Sequence, residues 1–261
     1  MRTRRGHNPR MRARALRPLP LLLTAALLGC PGEPPPPADY EVTGRYPHDR
    51  SSYTQGLVWS DGILYESVGR YANSDLRRVT LETGAVEART ALTSDKFAEG
   101  LALLGGKLYQ LTGKEQIAYV YDAATLAPLD SVRYEGEGWG LATDGTGLWM
   151  SDGSDSLRLL DPATFATRRV VKVRLNGRPL SRINEMEWDE GTLLANVYET
   201  DRIVRIDPAT GEVLRTYDFE GLYPDRPPEV DVLNGIAKSP VPGEFLVTGK
   251  YWPTMYRVRL K

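Results

Sequence analysis

The sequence predicts an all-β fold, a five-bladed β-propeller, and two observations lead to this prediction. From Tyr40 onward no long helical period is present, and short alternating polar and apolar runs are separated by Gly, Asp and Asn. Five of these runs begin alike, with a polar or aromatic residue before a predicted strand, at positions 55, 99, 139, 185 and 234. The intervals of 44, 40, 46 and 49 residues are typical of propeller blades.

Each repeat unit has four predicted strands in the same order. In the second unit, residues 100–104 form the first strand, Gly105 and Gly106 form a turn, and residues 107–110 form the second strand. A polar loop leads to the third strand, and an Asp-Pro-Ala-Thr turn leads to the fourth in two of the units. Such a turn is favoured because Pro presets φ and Asp can bond to the backbone ahead of it.

The fifth unit is one strand short, because the chain ends with its third strand at residues 255–260. Residues 40–46 form the first β-like segment of the domain and can supply the missing strand. Pairing of the two ends would close the ring and remove an exposed sheet edge. We therefore predict one propeller domain over residues 40–261, closed by its N-terminal strand, and we expect it to be a monomer.

Residues 1–29 have the pattern of a bacterial signal peptide. They contain seven arginines and no acidic residue, and their apolar segment at residues 19–28 is too short to span a bilayer. Leu-Leu-Gly-Cys at residues 27–30 resembles a lipobox, which predicts a lipid on Cys30 and a Pro-rich tether over residues 30–39. We expect a periplasmic lipoprotein of the cell envelope that contacts the membrane through its lipid anchor only. A plain signal peptide with an incidental cysteine is the alternative.

The composition argues against several classes of function. Without the seven leader arginines the formal net charge is −8, from −1 − 7, and no Lys/Arg stripe is present that could bind nucleic acid. Cys30 is the only cysteine, and His48 is the only histidine beyond the leader. A His/Cys metal site needs at least three such ligands, so we expect no metal and no cofactor. His48 lies in a predicted turn, where we expect it to be structural or solvent-facing.

The residues that precede the first strands of the blades should meet at one mouth of the central channel. They comprise carboxylates, amides and aromatic rings: Tyr53, Gln55, Phe97, Glu99, Trp139, Asn184, Glu185 and Asn234. Because buried polar groups without partners are costly, such a cluster forms either an internal hydrogen-bond network or a ligand site. The residues alone leave both interpretations open. For Glu185 and Glu187 we favour a network, and for residues 152–155 a turn rather than a calcium loop.

Seven ordered motifs resemble those of the plant and bacterial type of glutaminyl-peptide cyclotransferase, over roughly residues 40 to 261. The motifs are YTQGL at 53–57, ESVGRY at 66–71, FAEGL at 97–101, GEGWGL at 136–141, NEMEW at 184–188, VLNGIA at 232–237 and TGKYWP at 248–253. The resemblance implies a five-bladed propeller, in agreement with the repeat count. It also implies cyclisation of N-terminal glutaminyl residues of peptides or proteins to pyroglutamate, with release of ammonia.

The resemblance further implies a role for each matching position. Glu99 matches the catalytic glutamate, which would act as general acid and base. Gln55, Asn184 and Lys250 match residues that hydrogen-bond the substrate amide and can stabilise an oxyanion. The aromatic walls of the pocket match Tyr53, Phe97, Trp139 and Tyr198. This chemistry requires no metal.

Two positions depart from the family pattern. Gly113 stands where the family usually has a tryptophan, and Tyr198 stands where another tryptophan is common. Tyr198 keeps a ring, whereas Gly113 removes one wall, so we expect weaker substrate binding or a broader pocket. The alternative function is a catalytically weak or inactive propeller that binds peptides in the periplasm. A propeller lyase of the streptogramin-inactivating type would be expected to need a histidine that this chain lacks.

Overall fold

The structure is a computed structural model that describes residues 39–261, and it confirms the five-bladed propeller. This part of the chain contains 22 strands and no helix. Accordingly, residues 39–261 include no helix long and apolar enough to cross a bilayer. The predicted signal peptide and the lipidation of Cys30 lie outside the described residues and stay predictions.

Four blades are antiparallel sheets of four consecutive strands, numbered from the channel outward. Blade I contains β2 (Thr54–Ser60), β3 (Ile63–Val68), β4 (Asp75–Thr80) and β5 (Ala85–Ala91). Blade II contains β6 (Ala98–Leu104), β7 (Lys107–Thr112), β8 (Ile117–Asp122) and β9 (Pro128–Arg133). Blade III contains β10 (Leu141–Thr143), β11 (Leu148–Ser151), β12 (Ser156–Leu160) and β13 (Thr167–Lys172), and the hairpin of β14 (Arg174–Leu175) and β15 (Arg178–Pro179) follows it. Blade IV contains β16 (Ile183–Asp189), β17 (Thr192–Val197), β18 (Arg202–Ile206) and β19 (Val213–Asp218).

Blade V joins the two ends of the domain, as predicted. It contains β20 (Leu233–Lys238), β21 (Glu244–Gly249), β22 (Thr254–Leu260) and the N-terminal strand β1 (Tyr40–Pro47). The outer pair is antiparallel, with Tyr40 opposite Leu260 and Pro47 opposite Thr254. The Tyr40 ring also stacks on Phe219 of the preceding blade at 4.4 Å between centroids. The N-terminal strand therefore completes blade V and ties it to blade IV.

Glycines allow the first strands of neighbouring blades to approach each other closely at the channel. A Cβ atom added at Gly56 would lie 2.5 Å from a backbone nitrogen of blade II, and one at Gly100 would lie 2.4 Å from a backbone nitrogen of blade III. At Gly140 the distance to a backbone oxygen at the start of blade IV would be 2.0 Å. No side chain fits at these distances, so each of these three glycines is needed where it stands.

Blade IV corrects one prediction, because its first strand aligns one residue earlier than expected. Ile183 and Met186 border a shift in the pairing of β16 with β17, as residues 233 and 236 do in blade V. By this register Asn184, and not Glu185, corresponds to the leading residue of the other blades. Glu185 occupies the position that is glycine in the other four blades.

The Glu185 carboxylate fills the space at the centre of the ring. It accepts hydrogen bonds from Leu57 N at 3.2 Å and from Ile236 N at 2.8 Å. Burial raises its pKa well above 4.5. Glu187 lies further along the same strand, where it accepts a bond from Lys238 N and burial raises its pKa to about 7. The predicted network interpretation of these two glutamates is confirmed.

The predicted aspartate turns also form. Asp161 Oδ1 accepts the backbone N–H groups of Ala163 at 2.9 Å and Thr164 at 3.0 Å. Asp152 Oδ1 accepts the N–H of Ser154 at 3.0 Å. Such bonds replace the ladder bonds that a chain loses where it reverses direction. The turn at residues 152–155 is therefore held by its own side chain.

His48 is buried between blades I and V, which confirms the structural role and not the solvent-facing one. Its Nδ1 lies 2.6 Å from the carbonyl oxygen of Trp252, and its Nε2 lies 3.0 Å from Glu66 Oε1. Both partners are acceptors, an arrangement that favours the protonated imidazole, in which both ring nitrogens donate. Burial lowers the pKa of His48, but the charge and hydrogen bond of Glu66, the bond to the Trp252 carbonyl and the charge of Asp49 together outweigh burial, and the pKa is raised above 6.5. Burial raises the pKa of Glu66, but the charge and hydrogen bond of His48, the charge of Arg77 and the hydrogen bond from Thr54 together bring it below 4.5.

Replacement of His48 by glutamine should destabilise the domain most strongly at acidic to neutral pH. Breaking a buried ion pair costs about 3–5 kcal/mol. Because the folded-state pKa of His48 is raised, its contribution is full below the ordinary value of 6.5 and is lost as pH rises through the folded value. Urea unfolding at pH 6 and pH 9 should give a smaller cost at pH 9. Arg182→Gln, which breaks an exposed ion pair with Glu199, is the control. An equal cost of His48→Gln at both pH values would contradict the charged pair.

Candidate active site

The eight side chains to which the family resemblance assigns a role line one cavity at the mouth of the central channel, whereas Glu185 and Asn234 do not line it. The cavity has a volume of about 180 Å³. Its lining consists of Tyr53, Gln55, Phe97, Glu99, Trp139, Asn184, Tyr198 and Lys250, together with Glu137. These residues come from all five blades, because each blade contributes the end of its first strand or a loop beside it. Only ring closure brings them together.

Glu99 is the buried carboxylate of this cavity, with 8% of its surface exposed. Its Oε2 accepts a hydrogen bond of 2.5 Å from Gln55 Nε2. Position 113 lies on another side of the carboxylate, since a Cβ atom added at Gly113 would lie 3.1 Å from Glu99 Oε1. A side chain at position 113 would therefore meet the carboxylate of the predicted proton carrier.

The electrostatic environment brings the pKa values of Glu99 and Lys250 closer together. Burial raises the pKa of Glu99 well above 4.5, the positive charge of Lys250 opposes this, and the negative charges of Glu137 and Glu115 add to it. Burial lowers the pKa of Lys250 below 10.5, against the charges of Glu99 and Asp231. A carboxyl group with a raised pKa can both accept and release a proton near neutral pH. Glu99 is therefore a candidate acid–base group of this cavity.

Two pairs of aromatic rings form walls of the cavity. Tyr53 and Phe97 meet edge to face at 6.1 Å between centroids, and Trp139 meets Tyr198 edge to face at 5.5 Å. Lys250 Nζ lies 4.4 Å from the centroid of the Tyr53 ring and 5.2 Å from that of Tyr198. The ammonium group thus lies between the two walls, where the ring faces attract it.

Gly153 supports one of these walls, which the sequence did not indicate. A Cβ atom added at Gly153 would lie 2.6 Å from Trp139 Cη2, and its φ of +75° also favours glycine. The turn after β11 is therefore built to let the indole ring lie against it. The sequence shows Asp-Gly as a turn signal but gives no sign that a ring from another loop packs there.

Asn184 has an oxygen that is ready to accept a hydrogen bond. The residue is 3% exposed, and its Oδ1 is buried without a partner among the described residues. An unsatisfied buried oxygen is unfavourable for folding, by about 1–3 kcal/mol. Asn184 is also one of the residues that line the cavity, so its amide is a candidate hydrogen-bonding group for a bound molecule.

Glu137 is the cavity residue to which sequence reasoning gave no role. Its carboxylate is exposed at the mouth, where Trp139 Nε1 lies 3.4 Å from Oε1. Glu115 lies nearby and accepts a hydrogen bond of 3.0 Å from the Tyr71 hydroxyl. The signal for Glu137 was its place two residues before Trp139 in the GEGWGL motif, since alternate residues of an extended segment face the same side.

Comparison with known proteins identifies the family. A sequence model of the glutamine cyclotransferase family matches residues 17–260. The chain belongs to this family.

Two members of the family show how far the similarity extends. A glutaminyl-peptide cyclotransferase of Arabidopsis thaliana is 38% identical over 229 residues, which cover 85% of this chain and 72% of the plant protein. The crystal structure of Myxococcus xanthus glutaminyl cyclase superposes with a TM-score of 0.78 at 37% identity, covering 85% of this chain and 96% of the bacterial one. The resemblance drawn from the seven motifs is confirmed, and the chain is an enzyme of the glutaminyl-peptide cyclotransferase type.

In this glutamine cyclotransferase, replacing Asn184 by leucine should leave stability unchanged or raise it by about 1 kcal/mol, because a buried oxygen without a partner is removed. Asn196→Leu is the matched control. Asn196 is also buried and its Nδ2 also lacks a partner among the described residues, but its Oδ1 accepts the Gly235 N–H at 3.1 Å, so its replacement leaves that N–H unpaired and should cost about 1–3 kcal/mol. Urea unfolding of both variants tests this comparison. A larger loss for Asn184→Leu than for Asn196→Leu would show that Asn184 serves the fold.

Proposed function

We propose that this enzyme converts N-terminal glutaminyl residues of peptides or proteins to pyroglutamate, with Glu99 as general acid and base. The observation that carries this proposal is a buried carboxylate of raised pKa in a cavity beside Lys250 and the free oxygen of Asn184. The family assignment supports the same reaction.

The reaction needs one proton to move between two nitrogens of the substrate. The α-amine nitrogen bonds to the side-chain amide carbon, and the bond from that carbon to the amide nitrogen breaks. The attacking amine loses one proton, and the departing nitrogen gains one and leaves as ammonia. In this proposal Glu99 accepts the first proton and delivers the second, which accounts for about a 10²- to 10⁴-fold acceleration.

Negative charge develops on the amide oxygen while the new bond forms. Lys250 Nζ is a buried donor at the edge of the cavity, and electrostatic stabilisation of this kind contributes about 10²- to 10³-fold for each donor. Asn184 Oδ1 can accept an N–H of the substrate, which would orient the molecule before reaction. The Gln55 amide N–H is already donated to Glu99, so the predicted bond from Gln55 to the substrate amide stays a prediction.

The aromatic walls would hold the aliphatic part of the glutamine side chain and keep water out. Tyr53 with Phe97 and Trp139 with Tyr198 supply two walls. Gly113 leaves the third side open, which suggested a peptide-binding protein with little catalysis. The buried carboxylate and lysine favour the enzyme, because a binding module needs no acid–base group of shifted pKa.

Full-length protein incubated with a glutaminyl dipeptide should release ammonia faster than buffer alone. Glu99→Gln should lower kcat by about 10²-fold or more with an unchanged unfolding curve, because the amide cannot carry the proton. Glu82→Gln, an exposed glutamate in the turn after β4, should behave as wild type. Ammonia release at the buffer rate would exclude the proposed activity, and near wild-type turnover of Glu99→Gln would exclude the role of Glu99.

Gly113→Trp should lower KM for the dipeptide by about 2- to 10-fold, the equivalent of one aromatic contact. Gly113→Ala is the control, because its methyl group meets Glu99 in the same way but supplies no ring. Steady-state kinetics of the two variants distinguish the effect of the aromatic ring on KM from the effect of the contact with Glu99. An unchanged or raised KM in Gly113→Trp, or a KM lowered equally by alanine, would contradict the missing wall.

A further inference from the structure

The amide of Gln55 is held from two sides. Its Nε2 donates to Glu99 Oε2 at 2.5 Å, and its Oε1 accepts from Asn234 Nδ2 at 3.3 Å. Asn234 lies at the start of β20, in the blade that precedes blade I around the ring, and it is completely buried. It does not line the cavity, and no step of the proposed reaction uses it.

The orientation of both amides follows from a backbone carbonyl. Asn234 Nδ2 also donates to the carbonyl oxygen of Thr54 at 2.9 Å, and only an N–H group can make that bond. This bond fixes which end of the Asn234 amide faces blade I. The second N–H of Nδ2 then requires an acceptor, so Gln55 presents Oε1 to Asn234 and Nε2 to Glu99.

We propose that Asn234 is a positioning residue that keeps the N–H of Gln55 directed at Glu99. Without this contact the Gln55 amide can rotate by half a turn and present its oxygen to the carboxylate. The donor would then be lost, and two acceptor oxygens would face each other. The inference rests on the proposed role of Glu99 as proton carrier.

The expected effect is a change in the pH dependence of the reaction. A donated hydrogen bond favours the ionised carboxylate, and the bond from Gln55 lowers the pKa of Glu99 against burial and the charges of Glu137 and Glu115. Loss of this bond raises the pKa of Glu99 further. Because the general base must be ionised, the acidic limb of the kcat/KM profile should move to higher pH.

A double-mutant cycle tests the proposal. Asn234→Leu and Gln55→Leu should each move the acidic limb upward and lower kcat/KM at neutral pH by about tenfold, within the range of coupling in one hydrogen-bond network. The kcat/KM of the double variant should be no lower than that of the less active single variant, because Asn234 acts through Gln55. Additive losses, or an acidic limb that does not move in Asn234→Leu, would overturn the proposal.

Asn234→Asp covers the case in which the leucine variants do not fold. It keeps the shape of the side chain but turns the donor into an acceptor, so the acidic limb should again move upward. Asn196→Asp is the matched control, because this buried asparagine of β17 bonds to Gly235 N and not to Gln55. A limb that moves as far in Asn196→Asp as in Asn234→Asp would overturn the proposal. Wild-type protein without ammonia release would instead refute the proposed function, independently of Asn234.

Discussion

The close approach of the first strands around the channel is the constraint on which the rest of the structure depends. Glycine at positions 56, 100 and 140 lets neighbouring backbones come nearer than any side chain would allow. The residue before each of these glycines therefore lies close to the channel axis. Its side chain points into the cavity at the mouth of the channel. In blade IV the glycine is replaced by Glu185, whose carboxylate bonds the N–H groups of blades I and V across the centre. The close approach of the first strands thus determines both the packing of the blades and the position of the cavity residues.

The same arrangement places unfavourable groups at the mouth. Glu99 and Lys250 are buried, burial raises the pKa of Glu99 well above 4.5 and lowers that of Lys250 below 10.5, and Asn184 Oδ1 has no partner among the described residues. Each of these features is costly for folding and useful for binding a polar molecule. The ion pair of His48 and Glu66 joins blade V to blade I, and neither of these residues lines the cavity.

The sequence predicts most of the fold because the repeat, the aspartate turns and the short fifth unit are local signals. It also predicts Gln55, Glu99 and Trp139 as members of the cavity, since each precedes a channel glycine, whereas Tyr198 and Lys250 follow from the family resemblance. It does not predict side-chain orientation. The directions of Gln55 and Asn234 depend on the Thr54 carbonyl, which belongs to a different blade from Asn234, and the support of Trp139 by Gly153 joins two separate loops. The one-residue shift in blade IV was missed because Glu185 stands where the other blades have a glycine, and only the strand pairing reveals the register.

Gly113 shows how the acid–base group and the aromatic walls can vary separately. Position 113 follows β7, whereas Glu99 belongs to β6, so a residue at 113 touches the carboxylate without holding it in place. The groups that do hold Glu99 come from blade I through Gln55 and from blade V through Asn234. A change at position 113 can therefore alter the shape of the pocket while the hydrogen bond to Glu99 is preserved. The aromatic walls and the carboxylate therefore depend on different contacts.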